Sequence, residues 1–151
     1  MLQKLILEIQ SLKDLEKAKG AQRFFKTGPG EYGEGDIFLG LTVPQQRKIA
    51  EKYIGLNFTN IQKMLNSKIH EYRLVGVLIL VYKYKQADEN LKGDIFNFYL
   101  KNAKKVNNWD LVDVSCHHII GDFLLNKNKE ILYDLAVSEN LWEKRISIVS
   151  C

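Results

Sequence analysis

A tryptophan and a carboxylate are spaced by four residues in the segment NNWDLVDVSCHHIIGDFL, residues 107–124. In a helix, Trp109 and Asp113 would lie one above the other on a single face. The face of an indole ring and an ionised carboxylate both attract cations, so this pair suits the stabilisation of positive charge. The spacing is also typical of a packed aromatic residue beside a solvated acid, and spacing alone leaves both interpretations open.

The sequence around the pair predicts the helix that would position it. Asn107 or Asn108 provides an N-cap, and the predicted helix runs over residues 107–125. Its buried face comes from apolar side chains at helical spacing: Leu111, Val112, Val114, Cys116, Ile119, Ile120 and Phe123. We therefore expect a core helix that carries one exposed chemical pair.

The neighbouring residues are weaker candidates for chemistry. Adjacent helical residues such as those of Cys116–His118 point in different directions, and no second cluster has zinc-ligand spacing, so we predict neither a metal nor a cofactor. His117 follows Asp113 by four residues and could hydrogen-bond it, which is commonplace on a helix. Lys104 and Lys105 precede the helix and are candidate contacts for phosphate groups, with a solvated turn as the alternative.

Composition limits the class of protein. With 151 residues and 46% hydrophobic content, the chain is long enough for one soluble domain with a substantial core. Its net charge of +4 is compatible with a polyanionic partner but is only a modest signal for one. Two cysteines form no disulfide framework, which favours a reducing cytoplasm, and no apolar run approaches the ~20 residues of a membrane span.

The remaining chain also has helical period and no alternating strand pattern. Residues 2–19 predict an amphipathic helix that Gly20 ends, and a capping box at Thr42 opens a helix to about residue 54. Further helices are predicted at 59–66, 70–86, 90–104, 128–138 and 141–151. The five glycines between residues 27 and 40 indicate an irregular connection. Its GxGxxG pattern is not a dinucleotide site, because no strand precedes it and its acids would repel a pyrophosphate.

A weak repeat connects these helices. Residues 67–73 resemble 138–145, best at a shift of 72 that pairs Glu71 with Glu143 and Arg73 with Arg145. Steps of 36 residues lead from Arg73 to Trp109 and then to Arg145. A period of this length built from antiparallel helix pairs predicts an all-α, HEAT-like α-solenoid, with second helices lining a concave face. One domain, residues 1–151, would then present Arg73, Trp109, Asp113 and Arg145 along that face. In the repeat alignment, Val77 and Val149 occupy the positions equivalent to Asp113. A carboxylate at an otherwise apolar position loses favourable solvation, which is costly unless a partner or a reaction uses its charge.

Three segments together resemble one known family. They are Asn108–Asp113 (NWDLVD), Leu141–Ile146 (LWEKRI) and the early Phe25–Lys26 to Phe38–Leu41 followed by Pro44. They are similar to the bacterial DNA alkylation repair family of HEAT-like-repeat DNA glycosylases, from about residue 20 to the C-terminus. The resemblance implies a cytoplasmic enzyme, on the nucleoid when bound to DNA, that holds duplex DNA containing alkylated purines in a basic cleft.

The resemblance also implies a reaction and residue roles. Such enzymes excise cationic N3- or N7-alkylated purines without a metal and without flipping the lesion into a pocket, unlike most base-directed enzymes. Asp113 would stabilise the sugar cation and position water, and Trp109 would face the sugar and backbone. Arg145 and Arg73 would hold phosphates.

Two rival functions and one departure from the family stand beside this interpretation. A non-catalytic DNA-binding relative would keep the arginines of the concave face without needing Asp113. A protein-binding solenoid scaffold would use Trp109 as an interface hot spot. Family members have further repeats, whereas this chain stops in mid-helix at Cys151. We therefore expect a C-terminally incomplete domain whose exposed terminal repeat favours self-association, and whose own activity is in doubt.

Overall fold

Every regular element of the chain is a helix. A computed structural model describes residues 1–151. Its one extended pairing is an isolated parallel bridge between Ile37 and Ile69. The predicted all-α class is therefore confirmed. None of the helices combines the length and the apolar character that crossing a membrane would need.

The chain divides into two compact units, Met1–Ile79 and Leu80–Cys151. The first contains α1 (Leu2–Ser11), α2 (Leu15–Phe24), α3 (Val43–Lys52), α4 (Phe58–Leu65) and the start of α5 (His70–Gln86). The second contains the end of α5, α6 (Glu89–Lys101), a 3₁₀ turn (Ala103–Lys105), α7 (Trp109–Asp113), a π-helical turn (His117–Gly121), α8 (Asp122–Leu124), α9 (Glu130–Ala136) and α10 (Leu141–Val149).

The predicted single N-terminal helix over residues 2–19 is wrong. α1 ends at Ser11, and Asp14 caps a separate helix by accepting hydrogen bonds from the backbone N–H groups of Glu16 and Lys17, each at 3.1 Å. The Asp14 carboxylate thereby provides partners for N–H groups that the start of a helix leaves unpaired. α2 then passes through Gly20, because a glycine inside a helix costs only about 1 kcal/mol.

The glycine-rich connection of the first unit is irregular, as predicted, and is held at both ends. Phe25 and Phe38 stack with ring centroids 5.1 Å apart. Glu71 accepts hydrogen bonds from the backbone N–H groups of Leu39 and Gly40 at 2.9–3.0 Å. Gly40 has φ +91°, and a Cβ there would lie 2.0 Å from a backbone oxygen of Asp14, so only glycine fits.

Helix starts in this unit follow local capping chemistry. The Thr42 hydroxyl accepts from the Gln45 backbone N–H, and the Gln45 side chain accepts in return from the Thr42 N–H. The predicted capping box is therefore confirmed, with Pro44 in the first turn of α3.

In the second unit, α10 packs against both α7 and α9. The core between these helices is apolar and fully enclosed, with Leu111, Val112, Ile119, Ile120 and Ile146 all at 0% exposure. Asn140 caps α10 by accepting from the Trp142 and Glu143 N–H groups. This packing fixes the side of α10 that faces α7, and with it the candidate site.

Candidate functional site

The candidate site begins with a short, well-capped helix. Asn108 is fully buried, and its side-chain oxygen accepts from the Trp109 backbone N–H at 2.8 Å, which confirms one of the two predicted caps. α7 then covers only Trp109–Asp113, so the two residues are separated by one helical turn, as predicted. Both side chains are half-buried.

The helix predicted over residues 107–125 does not continue unbroken beyond Asp113. The Ser115 hydroxyl donates to the Leu111 carbonyl at 2.6 Å and also shares a hydrogen bond with the Tyr99 hydroxyl at 2.8 Å. A serine that bonds back to the preceding turn bends a helix. The chain turns at residues 114–115 and then widens into the π-helical turn His117–Gly121. Such turns inside helices are frequent at functional sites.

Asp113 and Arg145 form a two-point ion pair. Arg145 Nε lies 2.8 Å from Asp113 Oδ1, and Nη2 lies 2.7 Å from Oδ2. The Arg145 side chain is 39% exposed and the Asp113 side chain 37%. The hydrogen bond to Asp113 raises the pKa of Arg145. The guanidinium therefore stays charged and holds the carboxylate plane in one orientation.

This pairing joins two residues to which the family resemblance assigns separate roles. Asp113 was predicted as a catalytic carboxylate and Arg145 as a phosphate contact. A signal for their contact existed in the repeat alignment, which set Arg145 level with Trp109 and therefore one turn from Asp113. The alignment by itself did not say that the guanidinium would reach the carboxylate.

Lys104 and Lys105 lie in the 3₁₀ turn that leads into α7, and both are exposed. Their positions suit the predicted role as phosphate contacts, which stays a prediction.

Arg73 requires a correction. Its side chain is 3% exposed, Nη2 lies 2.7 Å from Asp36 Oδ2, and Nη1 donates to the Ser67 carbonyl at 2.7 Å. A buried arginine committed to a carboxylate and a carbonyl holds the glycine-rich connection against α5. Arg73 is therefore too buried to make the predicted phosphate contact.

The adjacent cysteine and histidines do not gather into a metal site. Cys116 is fully buried, and burial raises the pKa of its thiol to about 11. The rings of His117 and His118 lie against each other, with centroids 3.9 Å apart. No group of three or more histidine, cysteine or acidic side chains is arranged to hold a metal ion.

The fold and the site together define an all-helical protein with an arginine-bound carboxylate one turn from a half-buried indole. Residues 5–151 match the family model described as DNA alkylation repair enzyme, and the chain therefore belongs to that family. The match begins earlier than the resemblance in the sequence, which starts near residue 20. A comparison with curated proteins gives no match. Membership indicates an enzyme of DNA alkylation repair with DNA as its substrate.

Proposed function

We propose that the chain is a DNA glycosylase that hydrolyses the N-glycosidic bond of cationic N3- or N7-alkylated purines in duplex DNA. The observation that carries the proposal is the Asp113 carboxylate, half-exposed and held in one orientation by Arg145, one turn from Trp109. Family membership supports the DNA repair context of this chemistry.

The reaction needs little acid catalysis. A purine alkylated at N3 or N7 carries a positive charge, so it leaves as a neutral base and takes the electron pair of the glycosidic bond with it. Positive charge then develops on the deoxyribose, and water adds to C1′ and loses a proton. Asp113 stabilises the developing cation electrostatically and orients the water, as a glycosidase carboxylate does.

Trp109 and Arg145 assist in different ways. The indole face of Trp109 attracts the sugar cation, an effect worth roughly 0.5–2 kcal/mol. Arg145 has five N–H donors, of which the pair with Asp113 uses one on Nε and one on Nη2. The remaining donors suit a DNA phosphate, so Arg145 positions both the carboxylate and the backbone. Lys104 and Lys105 add exposed positive charge for further phosphates.

The proposal includes a HEAT-like α-solenoid that forms one domain over residues 1–151. Two similar loops support the repeat, although the second has one more residue between its serine and the arginine that follows. The Ser67 hydroxyl accepts from the Ile69 N–H at 3.1 Å, and the Ser138 hydroxyl accepts from the Asn140 N–H at 3.0 Å. Each of these turns leads into a helix that carries an aspartate-bound arginine, Arg73 in α5 and Arg145 in α10.

One observation favours a second candidate, a DNA-binding relative without catalysis. Both oxygens of Asp113 already accept hydrogen bonds from Arg145, which lowers the negative charge that the carboxylate offers to a sugar cation. In that case the ion pair would serve only to join α7 to α10.

Single-turnover excision distinguishes the two candidates. The protein is mixed in excess with a duplex carrying one N7-methylated purine, and base release is compared with spontaneous release. Equilibrium binding to the unmodified duplex is measured in parallel. Release well above the spontaneous rate supports the glycosylase. Tight binding with release at the spontaneous rate supports the non-catalytic relative instead.

A further inference from the structure

An open cavity lies beside the π-helical turn of the second unit. Its volume is about 360 Å³, and it is lined by Tyr84, Lys85, Lys92, His117, His118 and Asp122. At about 30 Å³ per water molecule, this space has room for a phosphate group together with part of a sugar. His117 follows Asp113 by four residues, so the cavity adjoins the candidate catalytic pair along the chain.

The charges around the cavity favour an anion. Lys85 comes from the end of α5 and Lys92 from α6, so two ammonium groups converge from different helices. Each lies near an aromatic ring: Lys85 Nζ is 5.8 Å from the Tyr82 ring centroid, and Lys92 Nζ is 5.2 Å from that of Tyr84. The nearest acid to Lys92 is Glu89, 3.6 Å away and itself 78% exposed. A pair this open contributes little, so Lys92 can exchange it for a phosphate.

The one acid in the lining is already engaged. Asp122 accepts a hydrogen bond from the Tyr84 hydroxyl at 2.8 Å. Burial and the neighbouring Asp122 raise the pKa of Tyr84, so the hydroxyl remains a neutral donor at physiological pH. His117 and His118 also line the cavity, and Lys85 and Lys92 outnumber Asp122, so the lining has a positive formal charge even with neutral imidazoles.

The cavity continues into a second one. A space of about 250 Å³ shares Tyr84, Lys92 and Asp122 with the first and extends to the exposed acid Glu89 and to Asn126 and Lys127. Lys127 Nζ lies 4.1 Å from the Phe123 ring centroid and donates to the Phe123 carbonyl. Cationic groups therefore follow a groove rather than surround a single closed pocket. A groove of this form suits a polymer of phosphates better than a small free anion.

We propose that this groove is a second DNA-backbone site, in which Lys85, Lys92 and the two imidazoles hold a phosphodiester of the strand that passes Asp113. The inference rests on the duplex DNA binding included in the proposed function, but it does not depend on cleavage of any glycosidic bond. A free phosphate ion would offer the same chemistry, and the experiment separates these two sources.

The test uses an unmodified duplex and inorganic phosphate as the two probes. We expect the duplex to shift the NMR resonances of His117 and His118. We also expect the double variant Lys85→Gln/Lys92→Gln to bind the duplex more weakly, with the slope of log affinity against log salt lower by about 0.9 for one lost phosphate contact. The matched control is Lys4→Gln/Lys13→Gln, which removes the same charge from exposed positions of the first unit.

Asp122→Asn provides a variant whose expected effect on duplex affinity is opposite to that of the double lysine variant. Its side-chain oxygen still accepts from Tyr84, while removal of the negative charge from the groove should tighten duplex binding, a gain that misfolding would not produce. The site would be a small-anion site, and the proposal overturned, if inorganic phosphate shifted the histidine resonances and the duplex did not. Equal duplex affinity and salt slope in the two double variants would also overturn it. A failed excision assay with these binding results intact would refute the glycosylase and leave the groove standing.

Discussion

Replacing Asp113 by asparagine separates the chemical role of the carboxylate from its structural one. The asparagine has nearly the same shape, and its oxygen can still accept one N–H from Arg145. Its amide nitrogen then faces the other guanidinium donor, so one of the two hydrogen bonds at 2.7–2.8 Å is lost together with the negative charge.

The structural cost of Asp113→Asn should be small. The Arg145 side chain is 39% exposed and the Asp113 side chain 37%, so solvent screens the pair and each group can be rehydrated when it opens. We expect a loss of about 0.5–1 kcal/mol in the free energy of unfolding, the upper part of the range for exposed pairs. The loss in catalysis should be larger, about 10²–10³ in single-turnover rate, which is typical of removing one preorganised electrostatic stabiliser.

Three measurements check this prediction. Single-turnover release of an N7-methylated purine should slow, equilibrium binding to the duplex should be kept, and the urea midpoint should move little. Asp110→Asn is the matched control, because it makes the same charge change on the same helix, and its oxygen can still accept from the Leu111 N–H. An Asp113→Asn protein that releases base as fast as the unmodified protein would refute the mechanism. A loss in rate equal to that of Asp110→Asn would refute a specific role for Asp113.

Three other changes test the fold and the DNA contact. Asp36→Asn should destabilise the chain by about 3–5 kcal/mol, because it leaves the Arg73 guanidinium, at 3% exposure, without its buried counter-charge; urea unfolding measures this, and an unchanged midpoint would contradict it. The hydrogen bond from Lys52 lowers the pKa of Glu8. The ionised Glu8 carboxylate therefore stabilises the folded chain above about pH 4.5, and this contribution is lost as the pH falls through the lowered pKa. Glu8→Gln should therefore remove part of the acid sensitivity seen in unfolding curves, and curves with the same acid slope would refute this. Arg145→Ala should weaken binding to duplexes of every sequence similarly, with a salt slope lower by about 0.9, whereas a sequence-dependent loss would indicate base readout.

Features set by neighbouring residues could be predicted from the sequence. The capping box at Thr42 and the cap at Asn108 depend on side chains that reach their own backbone within three residues. The long apolar helix His70–Gln86 has the predicted bounds, since nothing within it competes with the helical hydrogen bonds. Helical period alone was enough to predict the all-α class.

Features set by distant partners could not be predicted. The bend at Ser115 involves a hydrogen bond between its hydroxyl and that of Tyr99, which lies 16 residues earlier in the chain. Gly121 allows close approach of the chain end, since a Cβ there would lie 3.0 Å from the Ser150 carbonyl oxygen. The burial of Arg73 depends on Asp36, inside a glycine-rich connection whose path the sequence does not specify. A period of hydrophobic residues contains no information on these contacts.

The two arginine–aspartate pairs show why burial, rather than residue type, separates structural from functional candidates. Arg73 and Arg145 occupy equivalent positions in the proposed repeat, and each has an aspartate oxygen at 2.7 Å. In the first pair both side chains are less than a tenth exposed, so breaking it would leave a charge in the protein interior, and the pair cannot take part in exchange with a ligand. In the second pair, water reaches both groups, so a DNA phosphate can approach Arg145 at little cost. In the proposed function, the guanidinium keeps its two hydrogen bonds to Asp113 while its remaining N–H donors contact that phosphate. The half-exposed pair would therefore hold the carboxylate in position both before and after DNA binds.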